Sequence, residues 1–377
     1  MRVFITAGEA SGDRLGAALM AGLRDLSTGV SFEGVGGPLM QGQGLSPLFP
    51  MSDINLMGIT EILSRYRFLK RRIRETAEAV IAAKPDVLIT VDLPEFSLRV
   101  AKLVKARSDI RVVHYVAPTV WAWRPGRAAK MAAHVDQVLA LLPFEPPHME
   151  AAGMRCDFVG HPVVTEPVAD RADLGAFRDA HGLGDDVLCV LPGSRRSEIQ
   201  RLAPVFGEVV RALHQGRPGL QVILPVATGR ETMVEEAVAG WRVPPILLSG
   251  LDARAKSAAF QASRAALAAS GTVSLELAAA GCPMVIAYDM GWLSRQIIGW
   301  MLLTDTVTLV NLVSETRAVP EFIGDMCRPG PIAAALGQVM EDPGAQVDAM
   351  AATMDRLGRG GERPGLRAAQ AVIDGLA

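Results

Sequence analysis

Apolar positions along this chain fall into two kinds of run. Strand-length apolar stretches at 3–6, 32–35, 87–92, 112–116, 138–142 and 158–160 alternate with helix-length segments. That alternation predicts a parallel, doubly wound sheet. Its first helix carries Leu15, Leu19, Leu23 and Leu26 on one face. The stretch 165–186 is polar and charged, with Pro167, Gly182 and Gly184, and reads as a linker. A second set of apolar runs follows at 188–191, 222–225, 246–248, 265–269, 285–287 and 307–310. Between the first two of these, Ile199, Leu202, Phe206, Val209, Val210 and Leu213 keep the helical period until Gly216. The C-terminal region reads as helical. The expectation is an α/β protein with two Rossmann-like domains facing across a cleft, over 1–165 and 166–377. The last helix is a candidate to complete the first domain.

A chain of 377 residues is long enough for two sizeable cores. Half of its residues are hydrophobic, yet no run of eighteen apolar residues occurs, so no membrane span is expected. The N-terminus reaches Gly8 after one strand length, too soon for the apolar core of a signal peptide. Cytoplasmic residence is the expectation. Cys156, Cys189, Cys282 and Cys327 lie far apart without metal-site spacing, as expected of reduced thiols. A net charge of −2 argues against nucleic acid as a partner. One stretch departs from that balance: 65–74 holds six basic residues interleaved with Tyr66, Phe68, Leu69 and Ile73. Arg67, Phe68, Lys70, Arg71 and Arg74 are the candidates there for contact with anionic lipid. Trp292 and Trp300, in the greasy segment 291–303, are candidates for contact with acyl chains. The plain alternative for 65–74 is a solvated basic helix face packed on the core. A homodimer is compatible with the sequence, which leaves oligomeric state open.

Candidate chemistry concentrates at two strand-to-helix turns of the second half. In Ala269-Ser270-Gly271-Thr272 a small-residue turn opens a helix, and Glu276 follows one turn inside it. Amides at such a turn favour an anion. Thr272 and Glu276 share a helix face, which sets a hydroxyl suited to phosphate beside a carboxylate suited to both hydroxyls of a ribose. In Pro192-Gly193-Ser194-Arg195-Arg196 a second turn offers a guanidinium beside a serine hydroxyl. Arg195 there suits a diphosphate, because cations are disfavoured at a helix N-terminus unless an anion compensates them. Ordinary strand–turn–helix connections with solvated side chains are the alternative at both places.

In the first half, Asp92 ends a very apolar run and Pro94 blocks regular continuation. Its candidate role is general base, with a pKa raised by partial burial; capping the helix that begins near Glu95 is the alternative. Asn311 and Glu315 are weaker candidates on positional grounds. The loop Gly8-Glu9-Ala10-Ser11-Gly12-Asp13 resembles a dinucleotide loop but lacks its glycine spacing, and the second run ends in glycines at 34–37 where an acidic ribose ligand would be wanted. Hydride chemistry is therefore not expected. His114 and His161 lack partners at metal or triad spacing and read as structural.

Taken together, the 7–13 loop, Val91-Asp92-Leu93-Pro94-Glu95-Phe96, the 114–124 segment with Val120-Trp121-Ala122-Trp123, Gly193-Ser194-Arg195, Ser270-Gly271-Thr272 with Glu276, and Leu309-Val310-Asn311-Leu312 resemble the lipid-A-disaccharide synthase family nearly end to end. The resemblance implies a two-domain, GT-B-type, inverting glycosyltransferase that needs no metal or other cofactor. It implies transfer of 2,3-diacylglucosamine from UDP-2,3-diacylglucosamine to 2,3-diacylglucosamine 1-phosphate, with release of UDP, on the inner face of the cytoplasmic membrane. Matched by position, Asp92 is the base and Glu9 contributes to the acceptor or catalytic side. Gly193, Ser194, Arg195, Ser270, Gly271 and Thr272 hold the diphosphate, Glu276 the ribose, and Asn311 lines the donor pocket. Two departures stand out: Glu95 and Ser97 replace an aspartate and an asparagine often found there, and Arg196 replaces a smaller residue. Other UDP-sugar enzymes of similar fold, a 2-epimerase or the peptidoglycan N-acetylglucosaminyltransferase, remain open, as does a noncatalytic sugar-binding module.

Overall fold

The computed structural model describes residues 1–55, 65–122, 126–290 and 304–376. The chain forms two compact units: Met1–Pro162 with Gly360–Ala377, and Val163–Arg359. In the first, strands β1 (Arg2–Ala7), β2 (Ser31–Val35), β3 (Ser46–Pro47), β4 (Val87–Val91), β5 (Arg111–Tyr115), β6 (Gln137–Ala140) and β7 (Arg155–Phe158) form a parallel sheet ordered β3-β2-β1-β4-β5-β6-β7. Successive residues of a buried strand serve opposite faces. Leu88 packs with Phe4, Val112 and Val138 on one side, whereas Val87, Ile89 and Val91 pack with Val3, Ile5 and Val113 on the other.

The helix Pro364–Leu376 returns to this unit and lies against the helix Ala10–Leu26. Their backbones approach so closely that a Cβ on Gly22 would stand 2.6 Å from the Gly365 carbonyl oxygen. Ala368, Ala369 and Val372 join Leu19 and Leu23 in the same core. The buried Gln137 amide on β6 donates to the Ala371 carbonyl at 2.8 Å and ties that helix to the sheet.

The second unit repeats the plan. β8 (Val187–Leu191), β9 (Gln221–Pro225), β10 (Ile246–Leu248), β11 (Ala265–Ala268), β12 (Met284–Tyr288) and β13 (Glu321–Ile323) form a parallel sheet ordered β10-β9-β8-β11-β12-β13. Leu188, Val190, Leu267 and Val285 pack with Leu202, Phe206 and Val210 of the helix Arg196–Gly216.

Several boundaries differ from the sequence expectation. The stretch read as a linker contains the helix Arg171–His181, started by an Asp170–Asp173 capping box and ended by Gly182 at φ +61°. Its polar surface hid it, since Phe177 is its buried residue. The run at 307–310 is not a strand: Leu309–Ser314 is a helix, and the sheet instead takes Glu321–Ile323 as its edge. Glu321 explains the change, because its Oε1 accepts the Thr306 hydroxyl (2.7 Å) and the amides of Val307 (3.0 Å) and Thr308 (2.6 Å), which removes those groups from any ladder. Of the run at 158–160 only Phe158 belongs to a strand, as the last residue of β7.

Candidate functional site

The carboxyl ends of β8, β9 and β11 border a cavity of about 570 Å³ in the second unit. Gly193, Ser194, Arg195, Ser270, Gly271 and Thr272 all line it, and so does Glu276. The two turns singled out in the sequence therefore meet at one place. This is the edge where ligands of open parallel sheets bind.

The turn at β8 is built differently from expectation. Glu198, one turn into the helix Arg196–Gly216, folds back: its Oε2 accepts the amides of Ser194 and Arg195, each at 3.2 Å, and its Oε1 accepts Arg195 Nη1 at 3.2 Å. Gly193, at φ +101°, admits this carboxylate; a Cβ there would lie 2.5 Å from Glu198 Oε2. Arg230 braces the turn from another side, its Nε donating to the Ser194 carbonyl at 3.0 Å. Glu198 is thus the compensating anion at this helix start, so the place of Arg195 there does not by itself call for a bound diphosphate. The Arg195 side chain is nevertheless 78% exposed, so its remaining donors face outward. The capping-box spacing from Arg195 to Glu198 was the available sequence signal.

At the β11 turn, the helix Val273–Ala279 is short, and the Ser274 hydroxyl returns to the Gly271 carbonyl at 2.9 Å. Gly271 and Thr272 are exposed toward solvent. Glu276 is half-buried and meets the ammonium of Lys256, which also lines the cavity and which sequence reasoning missed.

In the first unit, β1 and β4 are neighbours and their carboxyl ends bring the Gly8–Glu9 turn beside Asp92 and Leu93: a Cβ on Gly8 would lie 2.3 Å from Leu93 Cδ2. Asp92 (φ +50°) and Leu93 (φ +46°) are consecutive left-handed residues, and Val116, just past β5, stands at φ +84°. Such conformations cost of the order of ~1–3 kcal/mol each and collect at functional edges. The turn is held by the Asp92 amide donating to the Tyr115 carbonyl (2.9 Å) and the Ser97 hydroxyl donating to the Asp92 carbonyl (2.7 Å). Burial raises the Asp92 carboxyl above the usual range, while the Leu93 amide pulls it back. Behind it, buried His114 shares a 2.8 Å hydrogen bond through Nδ1 with Thr90, and burial, aided by Arg127, lowers it to about 4. His161 is likewise lowered to about 4 by burial. Burial thus favours the neutral imidazole in both.

Other candidates stand elsewhere. Asn311 is not at a strand end and does not line the cavity; it is buried in the helix Leu309–Ser314, where Nδ2 donates to the Val319 carbonyl (2.9 Å) and Oδ1 accepts the Val319 amide (3.0 Å). Glu315 is paired with Arg356 at 2.9 Å. Asp13 and the glycines at 34–37 have structural work: Asp13 Oδ1 accepts the amides of Gly37 (2.9 Å) and Met40 (3.0 Å), Oδ2 that of Leu39 (3.0 Å). Of the basic stretch, Arg67, Lys70, Arg71 and Arg74 are exposed on the helix Tyr66–Ala83, with Leu69 and Ile73 buried beneath. Phe68 is half-buried, with the Arg71 guanidinium 5.1 Å from its ring centroid. Residues 56–64, Trp123 and the 291–303 segment with Trp292 and Trp300 lie outside the described residues. Among the described residues no helix is long and apolar enough to cross a membrane.

Two parallel-sheet units, one bearing a cavity lined by an arginine turn, a hydroxyl turn and an acidic residue, define the architecture of GT-B glycosyltransferases and their epimerase cousins. Solved structures agree on the fold: UDP-GlcNAc 2-epimerase from Neisseria meningitidis, bound to UDP-GlcNAc, superposes with a TM-score of 0.66 at 12% identity, covering 100% of this chain and 99% of that one. MurG of Acinetobacter baumannii superposes at 0.56 and 14% identity, covering 100% and 98%. Sequence separates the classes that fold alone leaves together. The lipid-A-disaccharide synthetase family profile matches residues 3–372. The lipid-A-disaccharide synthase of Ruegeria pomeroyi is 62% identical over 100% of this chain and 96% of its own length, and that of Rhodospirillum centenum 48% over 99% and 94%. The chain belongs to the lipid-A-disaccharide synthase family, and is a glycosyltransferase of lipid A biosynthesis.

Proposed function

We propose that the protein transfers 2,3-diacylglucosamine from UDP-2,3-diacylglucosamine to the 6-hydroxyl of 2,3-diacylglucosamine 1-phosphate, forming a β-1,6 disaccharide. The match of the whole chain to this family carries the reading. In the reaction the bond from the anomeric carbon to the UDP β-phosphate oxygen breaks, and the acceptor oxygen forms the new bond from the opposite face. Asp92 takes the acceptor proton; burial raises its carboxyl above the usual range, which makes it a better base than an ordinary aspartate. Glu9, on the adjoining turn, serves the acceptor side. The outward donors of Arg195, with Ser194, the Ser270-Gly271-Thr272 turn and Gly193 close behind, stabilise the charge that grows on UDP, and Glu276 accepts the ribose hydroxyls. Asn311 acts at a distance from the cavity, by fixing the Val319 backbone. The exposed basic face of Tyr66–Ala83 holds the protein to anionic lipid where its acylated substrates reside, and Trp292 and Trp300 contact acyl chains.

Mass spectrometry of products from the two purified substrates tests the proposal. A disaccharide 1-phosphate with one UDP released per turnover is expected, at an undiminished rate in EDTA because Arg195 rather than a divalent ion meets the leaving charge. Conversion of UDP-GlcNAc to its 2-epimer, or no disaccharide, refutes it. Arg195→Lys is expected to lose about tenfold or more in kcat, since a point charge cannot replace the guanidinium fork.

A further inference from the structure

Lys256 sits in the helix Ala253–Ala262, with its ammonium against Glu276 Oε2 and within the lining of the nucleotide cavity. Its platform is well fixed. Asp252 caps the helix by accepting the Ala255 amide at 2.8 Å, Ser257 Oγ accepts the Ala169 amide at 3.1 Å, and Gln261 Nε2 donates to the Ala169 carbonyl at 2.9 Å. The lysine runs beside Phe260, one turn on, with its nitrogen 5.7 Å from the ring centroid. The pair is an unpromising stability device: the two side chains are 38% and 27% exposed, and pairs this wet contribute little to folding. Its place in the cavity gives it a different use.

A carboxylate that grips a ribose diol must be ionised and must hold its accepting oxygen toward both hydroxyls. Glutamate has three side-chain torsions, and an unsupported one in a solvent-open cavity spreads over several rotamers. We propose that Lys256 is a positioning residue that pins Glu276 through Oε2 so that the carboxylate meets the 2′- and 3′-hydroxyls of the nucleotide ribose preorganised and charged. The ammonium lies against Oε2, which is buried, and this leaves Oε1, with its two lone pairs, as the oxygen to accept the two hydroxyls. Lys256 thereby sets ribonucleotide selectivity without touching the reacting atoms. This inference rests on the reading that Glu276 is the ribose ligand.

Calorimetric titration of the full chain with UDP and with 2′,3′-dideoxy-UDP tests both layers. The parent is expected to prefer UDP by about tenfold or more, the worth of charge-assisted hydrogen bonds to a diol. Glu276→Gln should bring the two nucleotides within about threefold of each other. If it leaves the parental preference, Glu276 is not the ribose ligand and the inference falls with that reading. With Glu276 so established, Lys256→Met should likewise collapse the preference while dideoxy-UDP affinity stays within about twofold, and Lys256→Arg should restore it. Lys256→Gln, which keeps a polar end, serves if the methionine variant melts early. A parental preference in Lys256→Met and Lys256→Gln overturns the positioning role. So does an equal loss for both nucleotides, which would place Lys256 on the diphosphate or in the fold.

Discussion

Asp92 and Leu93 hold consecutive left-handed conformations at the end of a strand whose residues are all buried. An aspartate tolerates that geometry better than most residues, a leucine does not, and the neighbouring chain enforces both. The conformation ends β4 abruptly and leaves the Asp92 carboxyl half-buried at the sheet's edge. Asp92→Asn keeps the shape and removes the proposed base. Its kcat is expected to fall by roughly 10²- to 10⁴-fold with UDP affinity unchanged, measured by steady-state assay and titration. Because burial raises the carboxyl, the parent's kcat should decline on the acid side at a higher pH than an ordinary aspartate would give, as protonation removes the base. Glu145 offers a pH prediction for stability instead. It is buried, its Oε2 accepts the amides of Leu141 (3.1 Å) and Leu142 (3.0 Å), and burial nonetheless pushes it up to about 7. The Leu142 and Leu141 amides and the Trp121 indole N–H favour the ionised form but do not outweigh burial. Between the unfolded value near 4.5 and about 7 the folded protein binds the extra proton, so stability falls as pH rises through that window and levels above it. The loss is about 3 kcal/mol, an order-of-magnitude figure. Denaturant titrations at pH 4 and pH 8 should show Glu145→Gln losing less stability than the parent over that interval; equal losses would refute the assignment.

At the scale of elements, long apolar strands were legible because a strand buried on both faces is apolar nearly throughout, as β8 and β11 are and as β1 and β4 are apart from Arg2, Thr6 and Thr90. The edges were not. β3 has two exposed residues and β13 three half-buried ones, so neither carries the apolar signature, and 307–310 carried it falsely. Cavity-lining residues were legible where a turn's composition limits its chemistry, as with Ser270-Gly271-Thr272. They were hidden where the partner is distant in sequence, as Lys256 is from Glu276, or where one carboxylate caps from within its own helix, as Glu198 does. Asp13 shows a further limit: it belongs to the loop that marks the family, yet its three accepted amides make it the anchor of the short helix Pro38–Gly42. Gly37 has no side chain because a Cβ would lie 2.4 Å from that carboxylate. Asp13→Ala leaves three amides short of an acceptor, and is expected to destabilise the protein by about 2–4 kcal/mol in chemical denaturation. UDP affinity should be untouched, since no Asp13 atom lines the cavity. Lost affinity at full stability would mean that the residue serves the ligand.

The molecule as a whole carries a net charge of −2, so any attraction to an anionic bilayer must come from local patterning. The helix Tyr66–Ala83 supplies it by dividing its labour. Leu69, Ile73, Ala77 and Val80 enter the core, and Arg72 is spent internally on Asp53, Glu75 and the Phe49 ring, its carbon 4.4 Å from the ring centroid. Arg67, Lys70, Arg71 and Arg74 are left on the outer face, with Tyr66 45% exposed at its start. A basic face merely solvating a core helix and one that docks on lipid look alike in isolation; they differ in what the bilayer's charge does. Each basic side chain near anionic lipid is worth about 1 kcal/mol and the attraction fades beyond a Debye length, so the proposed hold is expected to be reversible and sensitive to salt. Replacing Arg67, Lys70, Arg71 and Arg74 together with Ser is expected to lower co-sedimentation with phosphatidylglycerol vesicles by about tenfold or more, with UDP affinity and melting temperature kept. Neutral phosphatidylcholine vesicles should retain neither protein by this route. If the quadruple variant sediments with anionic vesicles as the parent does, and salt releases neither, then the charge on this face is not the anchor and apolar contacts must carry the attachment.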